Sequence, residues 1–390
     1  MVLNSEIQLG NTMDLFIPQV ADERLHPLVK QIIAEPVYHP TIKTINSWGK
    51  GILERRGEGD KFIKEFQTTF NSSFWELYLN KAFIDMGFNI DYSYESPDFH
   101  LIHSSGEHVN VEAVTSNNIN NEKEEYYSPD SLHEAAQTEI DEFMDNSSIR
   151  LIGKIRDKKS LFIDNGKKKY PYSKLPHVVG NPFILAIAPF DNLLSSGQNN
   201  RAINRVLFGI DTLPDGTVKK TPSIITKAGN IIDLGIFTND SYKEISAIIF
   251  STVGMFSKAI IEAKIPCKVR ATKYRQFTIH EFKKLSDLGI EKIGKNLKEL
   301  ENQDIILTFR YPSGNHIVGC DMYFCDSTQH KEKHIDGLHI YHNPYASIPL
   351  NRKIFNAKEL TYNGYNISNG NLIVEHNDGS LVSRNTYVTF

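Results

Sequence analysis

Three acidic residues, Glu76, Asp98 and Glu112, have the types and spacing to do chemistry. Asp98 follows Pro97, and Glu112 stands in the middle of the apolar run Val109-Asn110-Val111-Glu112-Ala113-Val114. A carboxylate inside such a strand is costly unless it is paired, hydrogen-bonded or bound to a metal. The turn Ser104-Ser105-Gly106-Glu107 reads as a hairpin that brings Asp98 and Glu112 together on neighbouring antiparallel strands. Carboxylates so placed can hold Mg²⁺ or Mn²⁺. Such an ion supplies a nucleophilic water at neutral pH and stabilises charge on phosphoryl oxygens, which are the two things that phosphodiester hydrolysis needs.

The elements that must position these acids are legible in the hydrophobic pattern. Phe74, Leu77, Tyr78, Phe83, Ile84 and Met86 repeat at helical spacing, and Gly87 sits where a helix stops, which predicts a helix over 73–87 carrying Glu76. Short strands follow at 89–94, 98–103 and 108–115. Alternation in the last puts Glu112 on the face of Asn110 and Val114, with Val109, Val111 and Ala113 opposite. A polar stretch, 116–130, precedes helices expected at 132–144 and 149–162, and 182–189 is a continuous apolar run of the kind covered on both faces of a sheet. The element order is α-β-β-β-α-β.

This order, with acids on its helix and on two strands, resembles the core of the PD-(D/E)xK, or restriction-endonuclease-like, nucleases over about residues 70–190. The resemblance implies an α/β fold with a mixed sheet, metal ligation by Asp98 and Glu112 with support from Glu76, and cleavage of DNA. It also implies a role in restriction, phage defence or repair, and a possible homodimer that cuts two strands. One departure is clear. The family's lysine follows two residues after the second acid, and here that position is Val114. A lysine from the next helix is a family variation, and Lys154 and Lys158, four apart on one face, are the candidates to assist the water.

Each residue has an ordinary explanation beside the chemical one. Ser73-Phe74-Trp75-Glu76 fits a capping box, Asp98 fits a turn after proline, and Lys154, Lys158 and Lys159 fit a solvated or phosphate-contacting face. Gln137 is a further polar candidate. Without its lysine the domain could instead be a catalytically inactive module for nucleic-acid binding or protein interaction. Cys320, Cys325, His330 and His334 have zinc-ligand types, but the cysteines are an odd number apart in a strand and point to opposite faces. Neither a P-loop nor a dinucleotide-binding glycine motif is present.

Composition bounds the rest. The 390 residues are 40% hydrophobic and 23% charged, with 22 Phe and 16 Pro, as in an ordered globular protein. Apolar runs are far shorter than the roughly 20 residues of a membrane span, and the N-terminus lacks a signal-peptide pattern, so a cytoplasmic chain is expected. Three cysteines argue against a disulfide framework. The net charge of −4 conceals a lysine-rich stretch from Lys154 to Lys174, so a nucleic-acid partner is allowed. The expected organisation is a helical lead-in over 1–70, a nuclease-like domain over 71–260 and a smaller α+β unit over 261–390. Helices are expected at 199–207 and 290–301, and strands at 217–237 and 242–254 are expected to extend the main sheet.

Overall fold

A computed structural model describes residues 13–55, 57–117, 140–164, 166, 170–190, 199–213, 217–287 and 304–388. It is a mixed α/β protein built on one large sheet with helices on both faces. Three helices, α1 (Pro27–Ala34), α2 (His39–Trp48) and α3 (Gly59–Thr68), lead into α4 (Phe70–Asp85). Burial surrounds α4: Phe74, Trp75, Leu77, Tyr78, Leu79 and Ala82, which span every side of the helix, are each 0% exposed. Such a helix belongs in the interior, between the lead-in helices and the sheet. Its polar side chains are anchored there. The Trp75 indole donates to the Ala186 carbonyl at 2.9 Å, and the Asn80 amide donates to the carbonyls of Trp48 and Lys50 at 2.7 and 2.8 Å.

The helix stops as its sequence suggests, with Gly87 at φ 84° and its N–H bonded to the Ile84 carbonyl. The chain then runs up β1 (Asn89–Ile90), β2 (Phe99–Ile102) and β3 (His108–Asn117), an antiparallel meander. Gly106, at φ 86°, closes the β2–β3 hairpin, whose register pairs Phe99 with Val111 and His100 with Asn110. Helix α5 (Ile140–Phe162) then carries the chain to β4 (Phe183–Phe190), which lies parallel to β3. All eight residues of β4 are buried, as its unbroken apolar run requires.

Beyond β4 the chain forms α6 (Arg201–Phe208), β5 (Ile210–Thr212), β6 (Val218–Lys220), β7 (Ser223–Ile225), β8 (Ile231–Asp233), β9 (Ala247–Phe250), α7 (Phe256–Glu262), β10 (Cys267–Thr278) and α8 (Ile279–Asp287). The last elements are β11 (Asp304–Ser313), β12 (His316–Asp326), β13 (His339–His342), β14 (Thr361–Asn366), β15 (Asn371–Glu375) and β16 (Leu381–Val388). The main sheet has the order β1-β2-β3-β4-β9-β13-β14-β15, and a second, antiparallel sheet has the order β11-β12-β10-β16.

Alternation along the strands feeds two cores. Val109, Val111, Ile184, Ala186 and Ile249 face α4 and the lead-in helices, whereas Val114, Leu185, Ile187, Ile248 and Phe250 face α5 and α6. Among the described residues no helix is long and apolar enough to cross a membrane.

Several sequence expectations need correction. The helices expected at 132–144 and 149–162 are, from residue 140 onward, one helix; 132–139, with Gln137, lie outside the described residues. The Asp145-Asn146-Ser147-Ser148 stretch does not break it, because Ser147 and Ser148 are buried and the Ser148 hydroxyl satisfies itself on the Met144 carbonyl at 2.7 Å. Strands β7 and β8 pair only with each other, so the segment 217–237 does not extend the main sheet. The boundary near residue 260 does not divide the sheet either, since β13, β14 and β15 from the C-terminal third complete it beside β9. The helix expected at 290–301 lies outside the described residues.

Candidate active site

The hairpin sets the two strand acids together. Asp98 immediately precedes β2, and its Oδ2 accepts the Ala113 N–H at 2.7 Å, which ties it beside Glu112 on β3. Glu112 is 3% exposed. Its Oε1 receives the Lys158 ammonium at 2.6 Å and the Tyr172 hydroxyl at 3.4 Å, while its Oε2 is buried and makes no hydrogen bond among the described residues. Lys158 reaches in from the last turns of α5, whose Ile152 and Ile155 pack with Val114 in the second core.

Glu76 approaches from α4, far enough inside the helix to exclude the capping-box reading. The helix begins at Phe70, and its N-cap is Thr69. The three acids feel one another. Burial pushes the Asp98 carboxyl from the usual 3.8 up to about 7, and the charge of Glu112 adds to the rise; the Ala113 N–H, Lys158 and Arg55 act against it. Burial likewise holds the Glu76 carboxyl well above the carboxylate range, and the charge of Asp98 reinforces this. The Lys158 ammonium also shifts upward. Burial disfavours its charge, but Glu112, Asp98 and Glu76 together outweigh that cost and raise its affinity for a proton. Burial and then Glu112 also keep the Tyr172 phenol well above its usual range, so it stays a neutral donor.

Of the two candidate lysines, only Lys158 meets the acids. Lys154, one turn earlier, makes no ion pair among the described residues. Lys159 is committed elsewhere, 3.5 Å from Glu244 and 4.4 Å from the centre of the Tyr242 ring. Lys167, Lys168 and Lys169 lie outside the described residues.

Two residues at the site escaped the sequence reading. Arg55 donates from Nη2 to the Asp98 carbonyl at 3.1 Å, and its guanidinium lies 5.2 Å from the centre of the Tyr92 ring. Tyr172 sits on the connection between α5 and β4. Neither shares a motif with the acids; the only signal was an arginine pair, Arg55-Arg56, beside the break Gly57-Glu58-Gly59. Next to the acids the same hairpin carries a histidine row. His100 bridges Asn110 at 3.0 Å and His108 at 2.8 Å, and His177 stacks 3.7 Å over Tyr94 with Nε2 against the Ser96 carbonyl.

The donor set is all oxygen, which suits a hard divalent cation. A buried carboxylate oxygen without a partner and a proton-hungry neighbouring carboxyl are what such an ion would satisfy. Among the described residues no three His, Cys, Asp or Glu side chains converge as a ready-made cage. An ion here would therefore rest on Asp98 and Glu112 and complete its shell with water and substrate, the usual habit of Mg²⁺.

The zinc pattern dissolves in the fold. Cys320 and Cys325 lie on β12 opposite Tyr274 and Val269; His330 bonds Tyr323 and Glu332, and His334 bonds Glu262 and the Tyr78 carbonyl. All three cysteines are free thiols.

Comparison of the chain with protein-family models, with curated proteins and with solved structures finds no match.

Proposed function

We propose that this protein is a metal-dependent nuclease that hydrolyses phosphodiester bonds, with DNA as its substrate and a restriction-endonuclease-like core formed by α4, β1–β3, α5 and β4. The observation that carries the reading is the Lys158–Glu112 contact: a lysine from the following helix stands beside the second acid, where the resemblance calls for one and where Val114 cannot serve. Support also comes from the unpartnered Glu112 Oε2 and the raised affinity of Asp98 for a proton. Perturbed carboxyls gathered at one point are a common feature of functional sites.

In this reading Asp98 and Glu112 hold Mg²⁺ or Mn²⁺, and Glu76 supports the site from α4. When bound, the ion supplies charge neutralisation at the phosphoryl oxygens and activation of water. The chain's own residues do the positioning. The Ala113 N–H fixes one Asp98 oxygen, and Arg55 fixes the Asp98 backbone, so the carboxylate has few ways to turn. Tyr172 and Lys158 fix Glu112 Oε1 and leave Oε2 free to act. Lys158, held protonated, can orient the attacking water or donate a hydrogen bond to a phosphoryl oxygen.

The test is cleavage of plasmid, single-stranded DNA and RNA by the purified protein with Mg²⁺, Mn²⁺ or EDTA, beside Asp98→Ala, Glu112→Ala and Lys158→Met. The reading expects metal-dependent cutting that is lost in both acid variants and falls by two or more orders of magnitude in the lysine variant. Folded wild-type protein that cuts no substrate with any metal would overturn it.

A further inference from the structure

Between the second sheet and the main body of the protein lies a cleft that the acids do not share. Cys267, Val269 and Ala271 of β10 are buried in the first core, and the same alternation puts Lys273 and Arg275 on that inner face, past the last β10 residue of the core. There they line a cleft of about 980 Å³ with the C-terminal end of α7, the β12–β13 connection and the β15–β16 turn. Ile261 is the only aliphatic side chain among the described residues of its wall. Small-molecule pockets are usually lined by apolar groups, so what fits this one is polar.

The acids of the cleft are already taken. Glu332 serves Lys258, Arg384 and His330, and Glu262 bonds His334 and Trp48. Glu359 pairs with Lys333; Asp336 accepts the Lys333 N–H, and Asp378 the Gln276 N–H. The cations are less committed. Lys264 and Lys358 make no ion pair among the described residues, and Lys273 spends one ammonium hydrogen on the Lys331 carbonyl, at 3.0 Å. Lys264 also holds the left-handed position after α7, at φ 57°, where glycine or asparagine is the relaxed choice.

Arg275 is the clearest case. It is 8% exposed, yet its guanidinium makes no hydrogen bond among the described residues. Asp321 and Asp378 stand 3.7 and 3.8 Å from its Nε, beyond hydrogen-bond reach, and already accept from Thr308, Arg310 and Gln276. A buried guanidinium holds its donors in a fixed fork, and leaving them unmatched is costly. Two oxygens of one anion match that fork.

The neighbouring charges select the anion. A carboxylate has two oxygens, and the fork uses both, whereas a phosphate has a further oxygen for the Lys273 ammonium, two residues away on the same face. Lys264 and Lys358 bring charge from the end of α7 and from the segment before β14, so more than one phosphate is met. His330 is the only ring among the described residues of the wall, and a nucleobase would find little to stack on.

We propose that this cleft binds a small, multiply phosphorylated molecule, with Arg275 clamping one phosphate and Lys273, Lys264 and Lys358 contacting the rest. The cleft contains none of Glu76, Asp98 and Glu112, so it stands whether or not those acids cut DNA.

Binding is read by isothermal titration calorimetry and thermal shift on the full chain, in EDTA at fixed ionic strength. The phosphate probes are inorganic pyrophosphate and fructose 1,6-bisphosphate, and citrate is the carboxylate probe. Both phosphate probes should bind saturably at one site and raise Tm, and citrate should bind more weakly than either. Arg275→Lys, which keeps the charge and loses the fork, should weaken pyrophosphate by about tenfold. Lys264→Gly should weaken binding while raising the Tm of the unliganded protein, since it relieves the backbone, which separates a lost contact from a damaged fold. Lys358→Ala should weaken binding with no change in that Tm.

The proposal is overturned if neither phosphate probe binds at millimolar concentration, or if citrate binds as tightly as pyrophosphate. Wild-type affinity in folded Arg275→Lys also overturns it. If that variant does not fold, the two lysine variants decide, and wild-type affinity in both overturns it.

Discussion

Replacing Asp98 with Asn should stabilise the fold, and more so as pH rises. Burial, with Glu112 behind it, lifts the Asp98 carboxyl from 3.8 to about 7. A carboxyl whose folded pKa lies above its unfolded value binds its proton more tightly in the native state, so between those two values the unfolded chain carries the charge more easily. Stability is therefore lost as pH climbs from about 4 to about 7, at up to about 1.4 kcal/mol per pH unit for one proton. Between pH 5 and pH 7 the loss amounts to about 2 kcal/mol. Asn keeps the oxygen that accepts the Ala113 N–H and removes the titration. Urea denaturation of both proteins in EDTA at pH 5, 6, 7 and 8 is the assay. The stability of Asp98→Asn relative to wild type should grow by about 2 kcal/mol from pH 5 to pH 7 and then level off. Added Mg²⁺ should narrow the gap by stabilising the wild type alone. Parallel pH curves for the two proteins in EDTA would refute the reasoning, because Asp98 would then ionise alike folded and unfolded.

Three other outcomes follow from named contacts. Lys158→Met leaves Glu112 buried without its cation and should cost about 2–3 kcal/mol; Glu112→Gln/Lys158→Met should cost less than the sum of the single changes in a thermal-denaturation cycle. Glu332→Gln should destabilise by about 3 kcal/mol or more, read as a fall in Tm, because Lys258 and Arg384 lean on that carboxylate and their side chains are 0% exposed. Val114→Lys in a Lys158→Met background puts an ammonium at the position the resembled motif prescribes. It should fail to restore cleavage and should lower Tm, since Val114 is 3% exposed among Phe143, Met144 and Ile155.

Much of the site was legible because it lies on elements with strong local signals. Helix α4 announced itself through aromatic periodicity and Gly87, the hairpin through its turn, and Glu112 through the apolar residues on either side of it. The pairing of Asp98 with Glu112 followed from those pieces. What the sequence hid was of two kinds. Arg55 and Tyr172 reach the acids from irregular connections, where no period predicts direction, and only tertiary packing decides where such a side chain points. The reach of the main sheet into β13–β15 was hidden for another reason: those strands join β9 across most of the C-terminal third, and pairing at such separation leaves no trace in local pattern. The acid spacing did not choose between Lys154 and Lys158. Which of two lysines on one helix face meets the strand depends on how far along the sheet α5 lies.

That placement also accounts for the displaced lysine. Position 114 shares its face with Glu112, but by that point β3 has passed beneath α5, and the face is sealed by Ile152, Ile155 and Phe143. A lysine there would bury its charge in the second core. Helix α5 closes the core, and from its last turns a long side chain can touch Glu112 while part of it remains in water; the Lys158 side chain is 28% exposed and that of Glu112 5%. The same helix thus excludes the cation from the strand and returns one from its own end. A long crossover helix over β3 and an apolar residue two places after the second acid are, on this argument, one feature.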